Sequence, residues 1–544
     1  MSFTKSIVQF VDDTLIDLGR QFRWTYLPPL MVYVAAGISG LTGIVGIFFI
    51  KDYLNLSAVF LAGLGFYAGI PWALKMPLGH LVDLIDRKKH YLVFLGAGLI
   101  ALSLGVMYLL IMHTAYMGSF LKIETWFIIS ALLAPVGYVT QDVVADSMTV
   151  EAVPSTDDQG NEYSVQQIKT SHMTMQSLGR VAIIGGFVLV SLVNVVMFEG
   201  VSDLDEAEKI EIYGKIYIYA LIIPLVSISG VFLGMYLKRQ RLQKLRRSGV
   251  GEEEIKKLTT EFGTNIKPNW YILNGSLIFV IFTLSVGILN LSFSQEIVFV
   301  GSMLIVLFLM KKLIVELPAE QRSVIVGTAL IIFVFRAMPG VGAGISWWEI
   351  DILGFDQQFF SLLSLIASLL TLFGIVIFRP FMARNSIARI VVILSIVGSI
   401  LLLPSVGMFY GLHTWTASFT NGVVDARFIA IINTALESPL GQVSMIPLLA
   451  WIARNAPRHL KATFFAIFAS FTNLALSASA LLTKHLNTWF IITRAVKDKI
   501  TDAILSTADY SELGILLISV TLLTLLLPIL AVWFVQKTRF RTNE

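Results

Sequence analysis

About fourteen runs of some 20 mostly apolar residues follow one another along this chain. They lie near 27–50, 58–82, 91–113, 125–149, 172–197 and 215–237, then 271–291 and 296–315, then 323–346, 358–381, 388–411, 428–452, 462–485 and 512–536. A bilayer core is spanned by about 20 helical residues. Every backbone N–H and C=O inside it must be bonded within the protein, so runs of this length are read as helices. The predicted class is therefore an all-α polytopic membrane protein with a 6 + 2 + 6 grouping. Residues 25–240 would form one six-helix bundle and 322–544 a second, with a linker and two extra helices over 241–321.

The balance of residue types agrees. Of 544 residues, 56% are hydrophobic and 14% are charged, with a net charge of only +4. Soluble domains carry about 25% charged residues. The basic residues fall in loops, where they speak to membrane orientation and not to nucleic acid. With no cysteine, disulfides, thiolate metal sites and cysteine nucleophiles are excluded. The seven histidines show no metal-ligand spacing, and no Walker loop is present, so neither a metal, a cofactor nor ATP drive is expected. Residues 1–24 lack the pattern of a signal peptide. Phe3, Ile7, Phe10, Val11, Leu15 and Leu18 instead predict an amphipathic segment on the membrane surface.

Loop charges orient the spans. With the N-terminus in the cytoplasm, the inside loops hold Arg87-Lys-Lys89, Lys238-Arg-Gln-Arg241, Lys311-Lys312, Arg454 with Arg458, and Lys537 with Arg539 and Arg541. The outside loops hold Asp203-Leu-Asp-Glu206 and Glu349-Ile-Asp351. The positive-inside rule then puts both termini in the cytoplasm, across an inner membrane if the cell is Gram-negative. The loop with Arg494, Lys497 and Lys499 dissents, since it falls outside. Lys238 to Asn269 is expected to be a solvated loop with one short helix.

Charges inside the spans narrow the function. Thr140-Gln-Asp-Val-Val-Ala-Asp-Ser-Met-Thr-Val-Glu151 ends the fourth span with Asp142, Asp146 and Glu151. A carboxylate within a bilayer costs about 2.5–3.5 kcal/mol or more and marks a partner or a task. Asp142 and Asp146 are i, i+4 and share a helix face; at close quarters they favour a proton or a nearby cation. At 1.5 Å per residue, Lys75 and Arg180 reach the same depth. These four are candidates for proton coupling or gating, or for a permanent ion-pair cluster pinning three helices.

Two six-helix halves across a cytoplasmic linker resemble the major facilitator superfamily. Such a fold implies a substrate site near the midplane and alternating access. Gly79-His-Leu-Val-Asp83-Leu-Ile-Asp86-Arg87 is similar to that superfamily's loop signature, with Asp86 where a second glycine is usual. The resemblance implies a cytoplasmic latch of Gly79, Asp83, Asp86 and Arg87, with Glu151 at the same surface. Further motifs are Pro71-Trp72-Ala-Leu-Lys75-Met-Pro77, Gln141-Asp142-Val-Val-Ala-Asp146, Arg336-Ala-Met-Pro339, Ile446-Pro447-Leu-Leu and Ala462-Thr-Phe-Phe-Ala, running on to Asn473. Together they resemble the folate-biopterin transporter family of that superfamily, from about residue 51 to 487. Lys461, where that family often has an acidic residue, and the extra helix pair are departures.

Arg336 lies about 20 Å into its span, and a guanidinium suits an anionic substrate because it binds a carboxylate through two hydrogen bonds. Glu437, Asn433 and Gln442 sit at comparable depth, with Gln176 and Asn473 as further substrate-site candidates; helix packing through an Arg336–Glu437 pair is the structural alternative. The stripe Gly37, Gly40, Gly43, Gly46 reads as close helix packing. Stacking of a ring on Trp72 or Trp347 is open. The expectation is a monomeric secondary transporter that moves a folate- or pteridine-like anion with protons. The rivals are a muropeptide or ferric-siderophore permease of the same fold, a membrane-embedded enzyme, and a non-transporting sensor. The enzyme would need a polar catalytic loop, and Thr488 to Glu512 shows none.

Overall fold

A computed structural model describes residues 22–54, 56–73, 75–85, 88–153, 163–247, 251, 270–288, 293–315, 318–441, 443, 461–497 and 504–542. Helix is present in each of the fourteen predicted spans. The first is α1 (Leu27–Gly37) and α2 (Gly43–Tyr53), joined by a 3-10 stretch, Ile38–Thr42. The second is α3 (Ala58–Ala73) and α4 (Lys75–Leu84). Then come α5 (His90–Met112), the short α6 (Thr114–Phe120), α7 (Ile123–Ala152), α8 (Val165–Met197), α9 (Glu206–Ala220) and α10 (Ile222–Arg247). The extra pair is α11 (Trp270–Ile288) and α12 (Ser294–Ile314). The remainder is α13 (Ala319–Arg336), α14 (Ala343–Asp351), α15 (Gln357–Ile377), α16 (Arg379–Arg384), α17 (Ile387–Phe409), α18 (Leu412–Phe419), α19 (Ala426–Glu437), α20 (Lys461–Trp489) and α21 (Leu513–Lys537). Among the described residues, nine helices are long and apolar enough to cross a membrane by length and composition alone.

Two expectations are corrected. Lys238-Arg-Gln-Arg241 is not loop: α10 runs on to Arg247, because Lys, Arg, Gln and Leu are good helix formers. Within the Thr488–Glu512 loop, β1 (Val496–Lys497) pairs antiparallel with β2 (Ile504–Ser506). The seventh core span is not continuous: α13 stops at Arg336 and α14 starts at Ala343, with Pro339 between them and Gly342 at φ +88°. Proline lacks an N–H, and glycine accepts a positive φ that other residues resist.

The glycine stripe is a packing device at one end only. A Cβ on Gly37 would strike the carbonyl of Ile183 and lie 2.9 Å from Gly186 Cα, so α1 and α8 cross backbone to backbone there. Gly43 and Gly46 meet nothing within 4 Å. α5 crosses α7 closely as well, where a Cβ on Gly96 would sit 2.6 Å from the Gly137 carbonyl oxygen. Gln141, beside the aspartates, is buried there and donates to the Val93 carbonyl (3.1 Å) and Ser227 Oγ (2.9 Å), tying α7 to α5 and α10.

Early and late helices meet along two seams, α3 with α20 and α8 with α15. Asn473 Nδ2 donates to the Trp72 carbonyl (3.1 Å) on the first seam, and Ser191 meets Ser364 (2.9 Å) on the second. The extra pair lies over the first seam, contacting α3, α4 and α20. Ala73, Met310, Ile325 and Phe471 share one apolar cluster there. Near the start of α12, Ser294 meets Tyr67 of α3 (3.2 Å) and Glu296 pairs with Lys484 (3.0 Å) and His485 (3.0 Å) of α20.

Candidate functional site

α7 runs unbroken through Asp142 and Asp146, so the i, i+4 spacing does put both carboxylates on one face. α4 opens on Lys75. Its ammonium bridges Asp142 Oδ2 (2.6 Å) and Asp146 Oδ2 (2.7 Å). The second oxygen of Asp146 accepts from Tyr33 of α1 (2.7 Å). Arg180 contacts neither carboxylate within 4.0 Å but is close enough to act on Asp142 and Tyr33 through space. Lys75 and Asp142 are largely buried, whereas 46% of the Asp146 side chain is exposed. Two carboxylates, one ammonium in contact and one guanidinium nearby thus sum to zero formal charge. Losing any member leaves an uncompensated charge in a low dielectric.

One turn on, Lys89 donates to Ser147 Oγ (2.9 Å) and pairs with Glu151. Glu151 is therefore held by the last basic residue of the Arg87-Lys-Lys89 run. Asp86 and Arg87 lie outside the described residues, as does the side chain of Asp83, and among the described residues no side chain comes within 4 Å of a Cβ built on Gly79.

Arg336 and Glu437 are each the last residue of their helix. No ion pair joins them, so the pairing alternative is not what the structure contains. Asn433 lies one turn before Glu437, and its Oδ1 is buried and accepts no hydrogen bond from the described residues. Gln442 and the side chain of Gln176 lie outside the description. Asn473 belongs to the α3–α20 seam. Trp347 is 2% exposed and lies under the Arg494 guanidinium, so it offers no face for stacking.

The break beside Arg336 is sustained by a polar stripe on α20 whose spacing is helical. Ser479 donates to the Met338 carbonyl (2.6 Å), the Gly340 N–H donates to Thr483 Oγ1 (2.9 Å), and Asn487 donates to the Val341 carbonyl (3.0 Å). A broken membrane helix persists when neighbours satisfy its freed backbone groups. Ser479, Thr483 and Asn487 stand four residues apart in an apolar run, and that period was the available signal. Tyr33 gave none, since a tyrosine in an apolar span reads as an interfacial aromatic.

The opposite end of the bundle is closed by charge. Lys51 at the end of α2 pairs with Asp351 of α14 (2.6 Å), which also accepts from Tyr510 (2.5 Å). Arg494, 7% exposed, donates to the carbonyls of Lys51 and Leu54. Its charge answers the orphaned carbonyls of a helix end, which explains the arginine that broke the loop-charge rule. Burial lowers the Arg494 pKa and, helped by Asp351, raises that of Tyr510. Burial alone lifts Glu349 to about 7.

A helical bundle with paired charges inside it and a broken helix beside an arginine matches known transporters over most of its length. The BT1 family model matches residues 36–543. The chain belongs to the BT1 family. A folate-biopterin transporter of Synechocystis sp. is 21% identical over 502 residues, covering 92% of this chain and 81% of the relative. The nucleoside transporter NupG superposes at a TM-score of 0.52 with 10% identity, covering 94% and 99% of the two chains. A POT family transporter in complex with 5-aminolevulinic acid gives 0.55 at 12%, covering 93% and 95%, and the xylose transporter XylE of E. coli 0.50 at 13%, covering 96% and 97%. These likenesses establish a fold of the major facilitator type. BT1 membership makes the protein a multi-pass membrane transporter and not an enzyme.

Proposed function

We propose that this BT1 protein imports a small organic anion of the folate or pteridine kind, coupled to protons by alternating access. The observation that carries the coupling is the Lys75 ammonium shared between Asp142 and Asp146. Asp146 is its exposed member and ties Tyr33 of α1 into the set, so a proton added to the carboxylate pair removes one claim on Lys75 and loosens the tie between α4 and α7. Lys89 and Glu151 hold the neighbouring turn at the cytoplasmic face, with Asp83, Asp86 and Arg87 completing the latch.

Substrate contact falls to Arg336, Asn433 and Glu437. Transporters of this general kind place their sites at interrupted spanning helices, and Arg336 stands at such a break. The name of the Synechocystis relative supports the choice of anion. The working organisation is a bundle over 25–240, an inserted pair within 241–321, and a bundle over 322–544, monomeric, with both termini in the cytoplasm.

Uptake of labelled folate and pteridines into energised vesicles, with and without a protonophore, tests both claims. Accumulation indifferent to the protonophore removes the coupling. A wider panel including muropeptides and ferric siderophores that competes better than folate removes the substrate.

A further inference from the structure

The chain does not end where α21 does. Thr538 turns it by donating through both its N–H (3.1 Å) and its hydroxyl (3.0 Å) to the Val535 carbonyl. Gln536 then holds the returning tail through Thr542 Oγ1 (2.6 Å), and Thr542 is buried. The Phe540 carbonyl rests against Gly327 of α13, where any Cβ would collide with it. The Phe540 ring packs on Ile331, Ala388 and Val535. The tail is thus pinned onto the first turns of α13.

Between them lies a groove of about 440 Å³, lined by Ser323, Gln536, Lys537, Arg539 and Arg541 among others. The three cations alternate along the tail and are exposed. No carboxylate is among the described lining residues. The groove also sits where an apolar span ends. Lys537 Nζ lies 4.2 Å from the centre of the Trp533 ring, and Trp533 and Phe534 are exposed on α21. Aromatic side chains so placed mark the headgroup level of a bilayer.

We propose that this groove binds the phosphate headgroup of an anionic phospholipid, with the acyl chains lying along Trp533 and Phe534. Basic pockets between spanning helices at a membrane face select such headgroups. The site is separate from the Lys75 cluster and from Arg336, and it does not depend on which substrate is carried.

Thermal unfolding of the purified full-length protein in detergent, with added phosphatidylglycerol, phosphatidylcholine or inorganic phosphate, tests this. Phosphatidylglycerol should raise the midpoint by about 2–4 °C beyond phosphatidylcholine. The Arg539→Gln/Arg541→Gln variant should lose most of that difference, while Arg246→Gln/Arg247→Gln at the end of α10 should keep it. Equal effects of the two lipids overturn the proposal, as does a full shift in the Arg539/Arg541 variant. A full shift with inorganic phosphate alone would make this a soluble-anion site and equally overturn it. Should the tail variant fail to fold, native mass spectrometry of the wild type after competition between the two lipids decides: preferential retention of phosphatidylglycerol supports the site, and no preference overturns it.

Discussion

Charges in the first 250 residues and charges in the last 220 are handled differently. Lys75, Asp142 and Asp146 meet side by side, with Tyr33 completing the set, on helices that run through the cluster or begin at it. Arg336 and Glu437 stand apart, each at the C-terminal end of a helix. The negative end of a helix dipole favours an arginine and disfavours a glutamate. The first arrangement neutralises itself and suits a switch that opens when one charge is cancelled. The second keeps its two charges apart, which suits a site where each meets a different part of a ligand.

Removing a partner from the first region is the harshest way to break this contrast. Lys75→Met should leave two close carboxylates uncompensated, cost about 3–5 kcal/mol of stability and abolish uptake. Removing one carboxylate as well, as in Lys75→Met/Asp142→Asn, leaves Asp146 and Arg180 in balance and should restore most of the unfolding midpoint without restoring transport. A single variant as stable as wild type would show that the cluster does not depend on mutual pairing. Arg336→Gln is the counterpart. It should lower uptake about 10–100-fold, the worth of a charge-assisted hydrogen bond of about 1.5–3 kcal/mol, and lower the midpoint less than Lys75→Met does. An unfolded Arg336→Gln would erase the distinction between the two regions.

Smaller effects sharpen it. Asn487→Leu leaves the Val341 carbonyl without its side-chain donor and should cost about 1–3 kcal/mol, read as a lowered midpoint with Arg336-dependent uptake impaired. A loss confined to uptake of substrates far from Arg336 would argue against that link. The least effect is expected from pH at the Lys51 end. Glu349 is raised by burial from 4.5 to about 7, so the folded protein binds this proton more tightly than the unfolded chain does. Stability from this group is then present below pH 4.5 and declines as pH rises toward 7. Glu349→Gln should flatten that part of a midpoint-against-pH curve; an unchanged slope would assign it to other groups.

The sequence made the first region readable because depth and spacing suffice for it. Asp142 and Asp146 are one turn apart, and counting rise per residue brings Lys75 level with them. Arg180 was at the right depth as well, yet it acts through space and not by contact, a difference that side-chain direction decides and residue counting does not. Tyr33 is 113 positions from its partner, and nothing local announces the contact. At Arg336 the breaker residues Pro339, Gly340 and Gly342 were in view, yet the mean apolarity of 323–346 hid them inside a single span. The linker erred the other way: charge suggested solvated loop, where helix propensity carried α10 onward to Arg247.

The helix pair α11–α12 touches α3 and α20, the two sides of one seam, and its Glu296 is bonded to the α20 side. When two bodies rock about a shared axis, a brace fixed to one of them must slide along the other. Under the alternating access proposed above, the pair would stay with α20 through Glu296 and shift against α3, where Ser294 meets Tyr67, so a ten-residue shortening of the pair should alter how far the protein opens before it alters what it carries.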